Sequence, residues 1–270
     1  MTPIVILCRV RSTPATISLA RTSKRIERFI SDYVSKSSAK GLVIGLSGGL
    51  DSAVVLKLAV NALGPRRVLG IVMPSDVTPE RDTLDAIEQA RSLGARYLLI
   101  DITSLLHKYA EILPWSDKKA KGNLMARIRM NILYHHAGLN DYLVAGTSDK
   151  SELCLGYFTK FGDGAADLLP IAGLYKTEVR ALAKHLMIPE AIAEKKSSPR
   201  LWANHLAETE LGMDYETIDP ILRLLVDKRM MKKNPKTVAR KLGISEEKVV
   251  RIKEMINKSE HKRRMPAGIY

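Results

Sequence analysis

Residues 41–52 read Gly-Leu-Val-Ile-Gly-Leu-Ser-Gly-Gly-Leu-Asp-Ser, an apolar run that ends directly in two adjacent glycines flanked by serines. A short apolar run of this kind predicts a buried strand of a parallel sheet, and the residues after it predict a tight turn into a helix. Gly48 and Gly49 carry no Cβ, so the backbone can bend sharply and bring its N–H groups against an anion. A helix starting near Asp51 adds the positive end of its dipole. Gly45, Leu46, Ser47, Leu50 and Ser52 complete the segment, the two serines adding hydroxyl donors, and the whole is suited to grip a diphosphate. Asp51 is the unusual member, because a carboxylate beside phosphates is repulsive unless a divalent cation sits between them. A magnesium-bound nucleotide satisfies that chemistry; the plainer alternative is a strand-to-helix turn that Asp51 merely caps.

Along the chain, apolar strands alternate with amphipathic helices. The first helix is expected from about Ile17 to Lys36, with Ile17, Ile26, Phe29, Ile30 and Tyr33 on its apolar face. Strand 42–46, helix 52–63, strand 68–72, helix 80–93 and strand 97–100 follow, then helices near 104–112 and 124–137 and strand 142–145. The pattern predicts an α/β fold, a Rossmann-like parallel sheet with helices on both faces, whose ligands bind at the carboxyl ends of the strands. Beyond Thr147 the pattern weakens. Segments 156–164 and 195–204, rich in Gly, Lys and Ser, read as loops, and helices are expected over 176–186, 218–228, 236–242 and 246–261. The chain is thus expected to be one catalytic domain with a helical C-terminal part over 214–264.

Hydrophobic residues make up 46% of the 270, ample for a full core, and no apolar run is long enough to span a bilayer. Ile4 to Cys8 is too short and too closely followed by Arg9 and Arg11 to act as a secretory signal, so a cytoplasmic location is expected. Cys8 and Cys154 have neither redox nor zinc-ligand spacing, and His107, His135, His136, His185 and His205 match no metal motif. The formal charge of +14 is uneven: residues 227–264 hold fourteen Lys and Arg against five Asp and Glu, a net of +9. Nucleic acid or an anionic small molecule would each suit such a balance.

No lysine lies between Gly45 and Lys57, so the glycine turn is not a Gly-Lys-Ser/Thr phosphate loop. It resembles instead the Ser-Gly-Gly-x-Asp-Ser loop of the ATP pyrophosphatases (the PP-loop, adenine nucleotide alpha hydrolase-like fold), which hold two leaving phosphates while AMP is transferred. Further blocks follow in order: Lys121-Gly-Asn-Leu-Met-Ala-Arg-Ile-Arg129, Val144-Ala-Gly-Thr-Ser-Asp-Lys-Ser-Glu152, Gly156-Tyr-Phe-Thr-Lys-Phe-Gly-Asp-Gly-Ala-Ala-Asp167, Pro170-Ile-Ala-Gly-Leu-Tyr-Lys-Thr-Glu-Val-Arg180 and Glu260-His-Lys-Arg-Arg264. Together with the turn they make the chain, from about Ser18, resemble the NAD synthetases.

That resemblance implies adenylation of the carboxylate of nicotinic acid adenine dinucleotide (deamido-NAD), release of pyrophosphate, and displacement of AMP by ammonia. It implies magnesium on Asp51 and Glu152, with Asp163 as a candidate for a second magnesium or for the ammonium proton. It implies ATP on the Gly45–Ser52 segment, Thr147, Lys176 and Ser198, and the dinucleotide on Arg127, Lys160, Asp167, His261 and Lys262. Lys176 would cancel charge developing on the phosphates, and a homodimer is implied as well. The chain lacks the length and the cysteine context of an appended glutaminase, so ammonia is the expected nitrogen donor.

One block departs from the family. Asn204, His205, Leu206 and Ala207 stand where most members have Gly-Gln-Thr-Asp, and the first fourteen residues match no family block, reading as an arm or as a misplaced start. Duller readings stand beside the functional ones. Arg127 and Arg129 lie two apart on a helix, so at least one points to solvent; Lys150 and Glu152 could form a solvated pair; Asp167 could be a turn residue. Residues 236–252 also fit a helix-turn-helix, with Ala239 and Gly243 at its tight points, which alone would suggest DNA binding. A third reading keeps the ATP loop but changes the acceptor to a nucleotide or tRNA.

Overall fold

The computed structural model describes residues 18–114, 116–202, 205–266 and 268–269. The expectations for residues 1–14, Ile17, Cys8 and Asn204 fall outside these. Strand β1 (Gly41–Leu46) pairs in parallel with β2 (Val68–Val72) on one side and β4 (Tyr142–Ala145) on the other, and β3 (Arg96–Leu99) extends the sheet beyond β2. The order β3-β2-β1-β4 reverses direction between β1 and β4, and the crevice at such a switch point is where open parallel sheets bind ligands.

Side chains alternate across the sheet with period two. Leu42, Ile44 and Leu46 face a core shared with α1 (Leu19–Lys36), α2 (Leu50–Leu63) and α7 (Lys176–His185). Val43 and Val144 face the opposite core, where Met125, Ile128 and Ala137 of α5 (Lys118–Asn140) pack with Ile102 and with Leu106 of α4 (Thr103–Ile112). Both faces are covered over β1 and β2, as their apolar runs require, whereas the edge strand β3 leaves Leu98 and Leu99 exposed. On the flank, α3 (Glu80–Ser92) sends the Gln89 side chain to the Ala53 carbonyl of α2 at 3.0 Å.

The elements differ from expectation in informative places. The buried face of α1 is carried by Ile26, Ile30 and Val34, together with the small or polar Thr22, Ser23 and Glu27; Phe29 and Tyr33 lie exposed on the neighbouring stripe. α5 begins six residues earlier than the apolar pattern suggests, because Asp117 caps it through the Ala120 N–H at 2.6 Å. Gly122 in that polar first turn lets α5 approach Leu201, whose Cβ would lie 2.8 Å from an added Cβ. Three helices too short for a periodic signal appear: α6 (Lys150–Leu155), α8 (Glu190–Ala193) and α9 (Ala207–Leu211).

The C-terminal segment is helical, as expected, and builds a separate apolar cluster. α10 (Tyr215–Leu222) starts on the Asp214 cap and widens into a π turn at Arg223–Asp227; α11 (Pro235–Leu242) and α12 (Glu246–Lys258) pack on it through Val238, Ala239, Val249 and Ile252. Of the small residues that suggested a helix-turn-helix, Ala239 serves this packing, whereas Gly243, at φ +66°, ends α11 with nothing packed against it. A short 3₁₀ turn over Glu260–Arg263 then carries the chain back toward the sheet. Replacing Ile30 by Ala should lower unfolding free energy by about 2–5 kcal/mol, and Phe29→Ala by clearly less. Equal losses in urea titrations would contradict this assignment of the α1 faces.

Candidate active site

The turn after β1 has the geometry of an anion cradle. Gly48 sits at φ +71°, and a Cβ there would meet the Asp82 carbonyl oxygen at 2.0 Å, so glycine is required on two grounds. The Ser52 hydroxyl donates to Gly49 O at 3.0 Å and accepts from Ser47 N at 3.3 Å, while Gly49 N donates to Ser47 Oγ at 3.3 Å. No side chain caps α2, whose first residue is Leu50, so its leading N–H groups remain available to a ligand. Asp51 lies inside the first turn and is not the cap.

Beside the turn, the fully buried Lys176 ammonium stands among three carboxylates: Asp51 Oδ2 at 2.7 Å, Asp149 Oδ2 at 2.9 Å and Glu152 Oε1 at 2.9 Å. Asp149 and Glu152 form the capping box of α6, each side chain accepting from the other's backbone N–H at 2.9 and 3.3 Å. Burial pushes the Asp149 carboxyl up to about 6 and holds Glu152 well above the ordinary carboxylate range. Burial also opposes the charge of Lys176, but Asp149, Asp51 and Glu152 together hold its pKa above the usual value. One ammonium cannot balance three carboxylates, and Asp51 Oδ1 is buried with no hydrogen-bond partner.

These three residues bring ligand oxygens within 4.8 Å of one another, a hard donor set that fits magnesium. Asp149 is the member sequence reasoning missed; its signal was the Asp-x-x-Glu box, legible as a cap but not as a ligand. Asp163 is outside this cluster, its carboxylate accepting from Thr159 N at 2.9 Å.

Asp219 of α10 locks the two segments that carry the cluster. Its Oδ1 accepts from Ser151 Oγ at 2.5 Å and its Oδ2 from Thr177 N at 2.9 Å, while Ser151 Oγ accepts from Lys176 N at 3.0 Å. Lys150 is no solvated partner of Glu152: it is buried and paired with Asp227 at 2.6 Å.

A cavity of about 460 Å³ opens at the strand ends, lined by Gly45, Leu46, Ser47, Asp51, Ser52, Thr147, Glu152, Asp163, Ser198 and Lys262 among the expected residues. Ser198 Oγ donates to the His205 carbonyl and accepts from Arg200 N at 3.2 Å. Arg127, Lys160 and His261 cluster away from that wall: Arg127 Nη2 donates to Lys160 O at 3.3 Å, and Lys160 Nζ to His261 O at 2.9 Å. Lys262 Nζ donates to Gly156 O and Phe158 O at 2.8 and 2.7 Å, pinning the 156–164 segment to the C-terminal turn. Asp167 does not line the cavity; it accepts from Val144 N at 2.7 Å and secures β4.

Sequence reasoning also passed over Lys195, which donates to the Gly48 carbonyl at 2.8 Å and pairs with the buried Asp82 and Asp85 at 2.7 and 2.6 Å. His205 is a packed residue, as its lack of metal spacing suggests. It stacks on Trp202 with ring centroids 3.5 Å apart and lies 2.8 Å from Glu210 Oε2.

The NAD synthase family model matches residues 22–266. An NH(3)-dependent NAD(+) synthetase of Hyperthermus butylicus is 54% identical over 90% of this chain and 88% of its own, and one of Staphylothermus marinus is 45% identical over 91% and 90%. Among solved structures, an NMN synthetase from Francisella tularensis superposes with a TM-score of 0.81 at 34% identity, covering 94% of this chain and 99% of that one. An NH3-dependent NAD synthetase from Campylobacter jejuni, in complex with the nitrate ion, gives 0.80 at 32%, covering 94% and 100%. These likenesses span the helix pair read above as a helix-turn-helix, and the reading of this chain as a DNA-binding protein is set aside.

The raised carboxyl values carry a pH prediction. Protons on Asp149 and Glu152 compete with a cation, so magnesium should raise the melting temperature at pH 7.5 and progressively less as pH falls through about 6. Without magnesium the sign reverses. The folded state holds more protons than the unfolded chain between about pH 4 and the raised values, so stability falls as pH rises through that window. A magnesium shift independent of pH in melting curves would contradict the cluster as its site.

Proposed function

The chain belongs to the NAD synthase family, and from that premise we propose that it converts deamido-NAD to NAD with ATP and ammonia, releasing AMP and pyrophosphate. The observation that carries the reading is the buried Lys176 shared between Asp51 and Glu152 beside an uncapped glycine turn. ATP, the co-substrate, would lie along the Gly45–Ser52 segment with Thr147 and Ser198 on the cavity wall. The turn's N–H groups, the two serine hydroxyls and the start of α2 would hold the β- and γ-phosphates.

A carboxylate oxygen of the dinucleotide attacks the α-phosphorus, the bond to the pyrophosphate oxygen breaks, and an acyl adenylate remains. Ammonia then attacks the acyl carbon, AMP departs, and the nitrogen loses a proton. Lys176 balances charge gathering on the departing pyrophosphate without giving up its proton, consistent with its raised pKa. Magnesium, held by Asp51 and Glu152 with Asp149, would supply neutralisation between carboxylates and phosphates that repel one another. Asp163, on the cavity wall, takes the ammonium proton.

Lys262, on the cavity wall, would meet the dinucleotide, with Arg127, Lys160 and His261 grouped beyond that wall along the C-terminal turn, and Asp167 supports that side through β4. The 156–164 segment, already tied to Lys262, closes over the reactants and keeps water from the adenylate. A homodimer is part of the reading, supported by exposed apolar side chains of β3 and α4, Leu98, Leu99, Leu105 and Ile112. No helix among the described residues is long and apolar enough to cross a membrane, which is compatible with a cytoplasmic enzyme.

Purified protein with ATP, magnesium, ammonium and deamido-NAD should yield AMP and NAD in equal amounts. ADP as product, or amidation of nicotinic acid mononucleotide in preference to the dinucleotide, would contradict the proposal. Asp51→Asn should cut turnover by about 10²–10³-fold with little change in melting temperature, and near-normal pyrophosphate release would refute its role.

A further inference from the structure

Arg129 is a cation in the cavity that the functions assigned above leave unused. It stands on α5 two positions beyond Arg127, so the two side chains leave opposite sides of the helix. Arg127 turns outward to the Lys160 carbonyl, whereas Arg129 turns inward and lines the cavity among Met73, Met130 and Leu133. Its Nε donates to the Met73 carbonyl at 3.0 Å, which fixes the plane of the guanidinium at the end of β2. Neither Nη group takes a hydrogen bond or an ion pair among the described residues.

The contrast with the cations beside the glycine turn is sharp. Lys176 is held by three carboxylates, and Lys195 by Asp82 and Asp85. The one carboxylate that acts on Arg129 is Asp163, too distant for an ion pair and occupied by Thr159 N. Burial without a counterion is unfavourable enough to bring the guanidinium down to about 10 from its ordinary value. A desolvated guanidinium without a carboxylate is an incomplete ion pair, and the missing half is an anion that enters from the cavity.

We propose that Arg129 is a substrate-binding residue whose two Nη groups receive anionic oxygens, phosphate or carboxylate, of a bound reactant while Nε stays on Met73. The inference rests on the reading above that the cavity takes two anionic reactants, and adds a contact no motif assigned. A planar fork suits a pair of such oxygens, and a lysine would supply the charge without the two-pronged geometry.

Calorimetric binding of AMP, ATP and deamido-NAD to wild type, Arg129→Met and Arg129→Lys tests this without requiring turnover. Arg129→Met should weaken at least one ligand by about 10- to 100-fold, Arg129→Lys should recover part of the loss, and the Michaelis constant for ammonium should stay within about twofold. A loss for AMP and ATP places the contact on the adenylyl phosphate, and a loss confined to deamido-NAD places it on that substrate's own acidic groups. Unchanged binding of all three by folded Arg129→Met, or a lowered melting temperature with binding intact, would overturn the proposal and leave Arg129 a brace for β2. Wild-type protein that binds neither ATP nor deamido-NAD would instead overturn the functional reading on which it rests.

Discussion

The structure depends on a charge imbalance held in a dry place. Three carboxylates, from the first turn of α2 and the capping box of α6, converge on one ammonium at the start of α7, and the second oxygen of Asp51 remains buried without a hydrogen-bond partner. Such an arrangement is costly to bury and has no merit as a device for stability. Its value lies in what it does to a ligand. A metal-neutralised pyrophosphate completes the charge balance, so the ligand is drawn to a position where its leaving oxygens already face a cation and a row of N–H groups.

Much of the fold serves to hold that imbalance in register. The strand order brings the ends of β1 and β4 side by side, which places the glycine turn next to the segment leading into α6. Asp219 then ties α6 to α7 through Ser151 and Thr177, and the Lys150–Asp227 pair anchors α6 to the π turn after α10. The C-terminal helices therefore act on the site through positioning, and their basic tail returns over it through Lys262. Lys195 does comparable work on the other side, fixing the Gly48 carbonyl against Asp82 and Asp85 so that the turn keeps its left-handed glycine.

The sheet and its main helices were legible in the sequence because period-two and helical apolar patterns report burial directly. What failed was where burial does not follow hydrophobicity. The face of α1 uses Thr22 and Ser23, so the apolar pattern places Phe29 and Tyr33 on it wrongly; the polar start of α5 is stabilised by a cap and by Gly122 against the distant Leu201. The site shows the same division. Asp51, Glu152 and Lys176 stand in recognisable blocks, whereas Asp149 reads as an ordinary helix cap, and only its burial beside Lys176 gives it another role. Arg127 and Arg129 could not be told apart until α5 was placed against Met73, because spacing alone says that they diverge and not which one turns inward.

The Lys176-bridged carboxylates beside the glycine turn are what let pyrophosphate leave. Rapid-quench analysis of a single turnover, with ATP, magnesium and deamido-NAD but no ammonium, tests it most directly. A burst of pyrophosphate matching the enzyme concentration is expected in wild type, and its loss in Lys176→Met. An undiminished burst in that variant would contradict the claim.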